Sequence, residues 1–242
     1  MQRRKFLQHG AALMLLLPSG LPLAAAAEIP REVAGIRLPQ TARARAAAAY
    51  ARASCPAFLF NHCMRTYLFG ALALRGQGRA FAAEDAFIAS ALHDLGLLPA
   101  FESPHGAFET DGADAAERWA QARGVTSAAA ERIWHAVQMH DGPWALTRRQ
   151  GPEAMLVALG AGTDVDGPGP GELQADELAQ VLAAFPRLQF KREFTTLLIG
   201  HCQRKPDSQV GTWLEGLCRT HAHGARAPQA VEAAIAAAAF SE

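Results

Sequence analysis

Apolar residues recur every three or four positions along most of the chain, which is the spacing of amphipathic helices. The clearest stripe runs from Phe60 to Leu72 and is followed by a turn at Gly76 and Gly78. Stretches that could form strands are short and lack alternation of period two, so the predicted fold class is all-α. The same spacing predicts further helices at residues 83–95, from about 111, 127–140, 153–163, 174–184, 191–203, 211–221 and 228–240.

Local signals indicate where some of these helices begin and end. Gly96 is expected to stop the second helix, and Ser127 is expected to cap a later one. The Gly-Pro-Gly-Pro-Gly run at residues 167–171 predicts a loop. No repeat with a period of about 20–50 residues is visible, so residues 28–242 are interpreted as a single domain.

The first 27 residues have the three-part layout of an export signal. A basic head, Arg-Arg-Lys-Phe-Leu at residues 3–7, resembles a twin-arginine signal. The 18 uncharged positions at residues 10–27 contain two prolines and end in an alanine run, which favours a cleaved signal over a membrane anchor. We therefore expect an exported, periplasmic protein with no membrane partner once residues 1–27 are removed.

Composition excludes one class of partner. The 23 basic and 23 acidic residues cancel, and removal of the signal takes away three basic residues, which leaves 20 against 23 and a net charge of −3. A chain without a basic field is not expected to bind nucleic acid, so a small-molecule substrate is the expected partner. Half of the residues are hydrophobic, which is enough to build a sizeable core.

Four cysteines would meet an oxidising compartment after export. They are Cys55, Cys63, Cys202 and Cys218, and they allow three disulfide pairings among which the sequence does not choose. Buried thiols remain an equal alternative. No phosphate-binding loop and no G-x-S-x-G motif occurs, so neither a nucleotide-dependent transferase nor a typical serine hydrolase is indicated.

The chemistry is concentrated where apolar helices end. His93 and Asp94 close an otherwise apolar helix, where a carboxylate costs several kcal/mol unless it is paired or binds a metal. His62 lies one helix upstream, and Asp164 lies where a later apolar helix ends. Histidine and aspartate side chains from facing helices are the ligands from which helical bundles build metal sites.

The order His62, His93-Asp94, Asp164 resembles the HD-domain superfamily, an all-helical fold of metal-dependent hydrolases. The local sequences resemble its cyanamide hydratase-type branch over about residues 52–215, in segments 61–65, 92–96, 108–113, 133–140 and 162–167. The resemblance implies that these four residues hold one divalent transition metal. Zinc is the preferred ion, and iron or manganese are alternatives.

Four further residues are candidates for roles around the metal. His140 shares a helix face with Ile133 and Val137, so it is expected to point inward, where it could orient substrate, transfer a proton or hold a second ion, whereas His135 is not. The loop after His93-Asp94 carries Glu109, a candidate catalytic acid or base, and His105, a candidate substrate-binding residue. Arg65 follows His62 on the same helix face and is the one basic residue placed to bind substrate.

The expected activity is that of a small-molecule hydratase or hydrolase. A divalent ion acidifies water, and the resemblance implies attack on an electrophilic carbon such as the nitrile carbon of cyanamide. The main alternative is an HD-type phosphohydrolase acting on a nucleotide or another phosphoester, with Arg65 near the phosphate. A second alternative is a metal-binding module that has lost catalysis.

Overall fold

The computed structural model describes residues 29–169 and 173–222, and this part of the chain is mostly helical with only two very short strands, which confirms the all-α prediction. Its helices in chain order are α1 (Ala42–Ser54), α2 (Ala57–Gly76), α3 (Ala83–Leu92), α4 (Phe108–Gln121), α5 (Ser127–Gln138), α6 (Trp144–Thr147), α7 (Pro152–Asp166), α8 (Ala175–Ala184), α9 (Phe190–Arg204) and α10 (Glu215–His221). A 3-10 turn at Leu95–Leu97 follows α3. Two short strands, β1 (Glu32–Val33) and β2 (Ile36–Arg37), pair as an antiparallel hairpin.

Several helix ends differ from the predicted ones. Helix α4 begins at Phe108, so two of its acidic residues, Glu109 and Asp111, lie in the first turn, at the positive end of the helix dipole. Thr126, rather than Ser127, caps α5 by accepting a hydrogen bond from the backbone of the first turn. Helix α5 ends at Gln138, and the helix predicted from residue 211 begins only at Glu215.

Two predicted segments, the export signal at residues 1–27 and the helix at 228–240, lie outside the described residues. Within residues 29–169 and 173–222, no helix combines the length and the apolar character needed to cross a membrane.

Helices α2 and α7 form the centre of the fold and cross at very short range. Their backbones touch through Gly70 and Gly160: a Cβ atom at Gly160 would overlap the carbonyl oxygen of Thr66, and one at Gly70 would overlap the carbonyl oxygen of Leu156. Helix α2 is buried along most of its length, so it is surrounded by other helices. This close crossing places the polar residues of α2 and α7 within hydrogen-bonding range of each other.

The remaining helices enclose this pair. Helix α3 packs on α1, α2, α5 and α7, while α4 packs on α5 and on the 3-10 turn. Helix α9 packs against α2 and α10. A disulfide between Cys202 and Cys218 joins α9 to α10 and settles the pairing that the sequence left open, whereas Cys55 and Cys63 are buried free thiols.

The crossing of α2 and α7 predicts a sharp contrast between two glycines of α7. Gly160→Ala should lower the free energy of unfolding by about 1–3 kcal/mol, because the added methyl group must displace backbone atoms of α2. Gly162→Ala is the matched control, since a Cβ atom there meets nothing within 4 Å and alanine favours a helix by about 0.5–1 kcal/mol. Urea unfolding of the three proteins measures the difference; equal midpoints for the two variants would contradict the close crossing.

Candidate metal centre

Two polar segments meet inside the bundle. His62 lies in the middle of the buried helix α2, and His93 and Asp94 follow directly after the last residue of α3. Helix α4 crosses closely over this second segment because Gly96 and Gly112 carry no side chain: a Cβ atom at Gly112 would lie 2.7 Å from the carbonyl oxygen of His93. All three residues are therefore enclosed, each with an exposed fraction of at most 1%.

The ligand atoms of these residues form a nearly equilateral triangle. His62 Nε2 lies 3.3 Å from His93 Nε2 and 3.4 Å from Asp94 Oδ2, and His93 Nε2 lies 3.4 Å from the same oxygen. An ion with tetrahedral bonds of about 2.0–2.1 Å separates its ligands by about 3.3–3.4 Å. These three residues thus form a group that could hold a metal ion.

The chemistry of the group fits a cation at its centre. Asp94 Oδ2 is buried and has no hydrogen-bond partner in the structure. A buried carboxylate oxygen without a partner is costly, and a divalent cation beside it removes that cost. Two imidazoles and one carboxylate are also a donor set that divalent transition metals accept.

The His93 ring is held in the form that binds metals. Its Nδ1 lies 2.8 Å from the carbonyl oxygen of Ser90 and donates a hydrogen bond to it, which leaves the lone pair on Nε2, facing Asp94. Burial lowers the pKa of His93 to about 3 in spite of the Asp94 charge, so the ring is neutral at physiological pH.

The structure places Asp164, the fourth predicted ligand, outside this triangle. Its Oδ2 accepts a 2.7 Å hydrogen bond from Nδ1 of His62, the ring nitrogen opposite the triangle. Burial opposes ionisation of Asp164, but hydrogen bonds from His62 and Arg65 outweigh burial and hold its pKa well below the ordinary value. The ligand role implied for Asp164 by resemblance therefore has no support in this placement.

Arg65, a predicted substrate-binding residue, is fully buried and does not line the cavity beside the triangle. Its Nε and Nη2 donate to the two oxygens of Asp164 at 2.8 and 2.7 Å, and its Nη1 donates to the carbonyl oxygens of Phe185 and Pro186. As the helical spacing predicted, Arg65 lies on the same face of α2 as His62. Its guanidinium group, however, is bound to Asp164 of α7.

His140 is buried and points inward, as predicted, whereas His135 is half-buried and lies beside Glu131. The Nδ1 of His140 donates to the carbonyl oxygen of Val137 at 2.6 Å. Its Nε2 therefore carries the lone pair and lies 3.8 Å from Asp94 Oδ1. This arrangement gives the cavity beside the triangle one imidazole that can accept a proton.

Glu109 is paired with Asp141, a residue that sequence reasoning missed. Their side chains share a hydrogen bond, and each retains one buried oxygen without a partner. Burial, followed by the charge of Asp141, raises the pKa of Glu109 to about 8. Burial likewise raises the pKa of Asp141, so the pair holds a proton at neutral pH. The only sequence signal that could have identified Asp141 as a site residue was its position directly after His140, which points inward.

His105, the other predicted substrate-binding residue, lies elsewhere. It lines a separate surface cleft together with Lys205 and Asp207. His201 is a core histidine, as its position on an apolar stripe suggests, and its Nδ1 donates to Glu102 at 3.0 Å.

A cavity of about 210 Å³ opens beside the triangle, which is small compared with sites for drug-sized ligands of about 300–1,000 Å³. Among the described residues, its lining includes three carboxylates and three imidazoles but no arginine or lysine side chain. The lining residues are His62, His93, Asp94, Phe108, His140, Asp141, Ala161, Gly162, Val165, Asp166, Phe194 and Trp213.

Comparison with known proteins agrees with this geometry. Residues 59–185 match the HD domain family, a segment that includes the triangle, His140 and Asp164. No curated protein sequence matches the chain. Because the matched segment covers more than half of the sequence and contains the buried His-His-Asp group, the chain belongs to the HD domain family.

Proposed function

We propose that this protein is a metal-dependent hydratase of small uncharged molecules with an electrophilic carbon, such as cyanamide or another nitrile. The observation that carries the proposal is the charge of the cavity. Asp94, Asp141 and Asp166 line it, and no basic side chain lies among its described lining residues. Such a cavity offers an anionic group no basic side chain and has room for neutral molecules of a few heavy atoms.

Zinc is the proposed ion. Two imidazoles and one carboxylate are a donor set that suits zinc. His62, His93 and Asp94 would hold the ion beside the cavity. When bound, the ion supplies Lewis acidity that lowers the pKa of water toward neutrality.

The residues of the chain complete the reaction by moving protons. Hydration forms a bond from the water oxygen to the nitrile carbon, breaks one C–N π bond and delivers a proton to the nitrogen. His140 Nε2 accepts the proton that the water loses, because its Nδ1 is committed to Val137. Asp141 lines the cavity and passes a proton to the nitrogen, and Glu109 behind it replaces that proton. The imidic acid formed in this way becomes the amide when its O–H proton moves to the nitrogen, and the proton held by His140 returns through solvent to the Glu109–Asp141 pair.

Phosphoester hydrolysis, the main alternative, draws no support from the cavity. Phosphoryl transfer depends on cations placed around the equatorial oxygens. Two arginines on the His62 side, Arg65 and Arg187, both bind the Asp164 carboxylate. A phosphate in the cavity would instead face Asp141 and Asp166.

Substrate choice tests the proposal directly. Zinc-loaded protein should convert cyanamide or a small nitrile to the corresponding urea or amide, and should leave nucleoside monophosphates intact. Product formation is measured by chromatography for the first class and by phosphate release for the second. Phosphate release without nitrile hydration would reverse the assignment, and the absence of both activities would favour a binding module.

A pair of histidine variants assigns the measured activity to this cavity. His140→Ala should lower kcat by about 10²–10⁴-fold, the usual contribution of a general base. His135→Ala should leave kcat unchanged, because His135 lies on the same segment but outside the cavity. Comparable rates for both variants would remove His140 from the mechanism.

The Glu109–Asp141 pair predicts how the rate changes with pH. Glu109 has a raised pKa of about 8, so its proton is present below that pH and is lost as the pH rises through it. We expect kcat to fall above about pH 8, since the pair then has no proton to deliver. Glu109→Gln should lower kcat and abolish this decline in a kcat profile from about pH 6 to 10. A variant that retains the decline would exclude Glu109 as its source.

We also propose that the enzyme works outside the cytoplasm, in the periplasm. The basic head and alanine run of residues 1–27 support export, and the Cys202–Cys218 disulfide suits an oxidising compartment. N-terminal sequencing of the protein from periplasmic extracts should give a chain that begins close to residue 28. Recovery of uncleaved protein from the cytoplasm alone would contradict this proposal.

A further inference from the structure

The Asp164 carboxylate is saturated with hydrogen bonds. Its Oδ2 accepts from His62 Nδ1 and from Arg65 Nη2, both at 2.7 Å. Its Oδ1 accepts from Arg65 Nε and from Arg187 Nη1, both at 2.8 Å. A carboxylate offers about four lone-pair sites, so these four bonds leave none for a metal ion.

The His62 ring separates Asp164 from the triangle. Because Nδ1 donates to Asp164, the ring is fixed in the tautomer whose lone pair lies on Nε2. That nitrogen is the vertex that faces His93 and Asp94. A carboxylate on the far nitrogen of a metal-binding imidazole orients the ring and increases its basicity.

The surroundings hold this arrangement in place from several sides. Arg65 is fully buried and also donates to two backbone carbonyl groups, while Arg187 donates to the backbone oxygen of Asp164 as well as to its side chain. The ring of Phe190 stacks on His62 at 4.9 Å and lies beneath both guanidinium groups. Turning Asp164 toward the triangle would leave the buried Arg65 charge without its carboxylate partner, which is strongly unfavourable.

We propose that Asp164 is a positioning residue that orients His62, with Arg65 and Arg187 as its counter-charges, and that it is not a ligand of the metal ion. The inference rests on the proposed metal centre but not on any substrate. In this assignment the three ligands come from α2 and from the segment after α3, whereas α7 supplies the carboxylate that orients one of them.

Metal binding by two aspartate variants separates the two roles. Asp164→Asn should weaken zinc binding by about 10–100-fold, as loss of outer support does, and should still bind one ion at saturation. Asp94→Asn should lose stoichiometric binding, because it removes a ligand. Asp176→Asn, on the exposed start of α8, is the surface control and should bind like the unaltered protein. Affinities are measured by competition with a chromophoric chelator.

The visible spectrum of the cobalt-substituted protein provides the second readout, since it reports the donor atoms and geometry directly. Asp164→Asn should keep the spectrum of the unaltered protein, and Asp94→Asn should not. A changed spectrum, or loss of stoichiometric zinc, in a folded Asp164→Asn protein would overturn the positioning role.

Arg187→Ala provides a second test in case the Asp164→Asn protein does not fold. It is a milder change, because Arg187 is partly exposed and supplies only part of the hydrogen bonds to Asp164. It should weaken zinc binding by less than Asp164→Asn and keep the cobalt spectrum. Unchanged or tighter binding would contradict the proposed support.

No substrate enters these metal-binding measurements, so they remain valid even if the protein fails to hydrate nitriles. An unaltered protein that binds no metal would instead overturn the metal centre itself.

Discussion

A carboxylate oxygen that is enclosed by helices and lacks a hydrogen-bond partner costs several kcal/mol unless a cation lies beside it. Asp94 Oδ2 is such an oxygen, and its nearest polar neighbours are Nε2 atoms of His62 and His93. Backbone or carboxylate acceptors occupy the other nitrogen of each ring, so both lone pairs face the same point. The charge of Asp94 and the direction of both rings fit a cation placed between the three ligand atoms.

The packing of the bundle makes this arrangement possible. Gly70 and Gly160 allow α2 and α7 to touch, which brings Asp164 onto the far side of His62. Gly96 and Gly112 allow α4 to cross over the segment that carries His93. The same close packing buries the triangle residues, so the electrostatic interactions within it are stronger than they would be at the surface.

The charges of the site explain its proposed chemistry. The arginines on the Asp164 side neutralise that carboxylate and are unavailable to a substrate. Asp141 lines a cavity without basic side chains among its described lining residues, and it shares a proton with Glu109. A cavity that holds a proton and offers no basic side chain suits the addition of water to a neutral molecule better than it suits phosphate transfer.

The sequence predicted the helices and the core of the site for physical reasons. Helical periodicity is strong in a chain whose helices are buried, and a His93-Asp94 pair at the end of an apolar helix is conspicuous. The direction of Arg65 and the pairing of Glu109 with Asp141 were not predictable, because each depends on a partner from a distant helix or turn. Helix ends also depended on local capping that periodicity does not report.

Anomalous diffraction from crystals of the zinc-loaded protein, recorded on both sides of the zinc absorption edge, tests the central claim most directly. The account predicts one peak within about 2.0–2.2 Å of His62 Nε2, His93 Nε2 and Asp94 Oδ2. It also predicts that Asp164 remains hydrogen-bonded to His62 Nδ1. The absence of a peak in this triangle, or a peak bonded elsewhere, would contradict it.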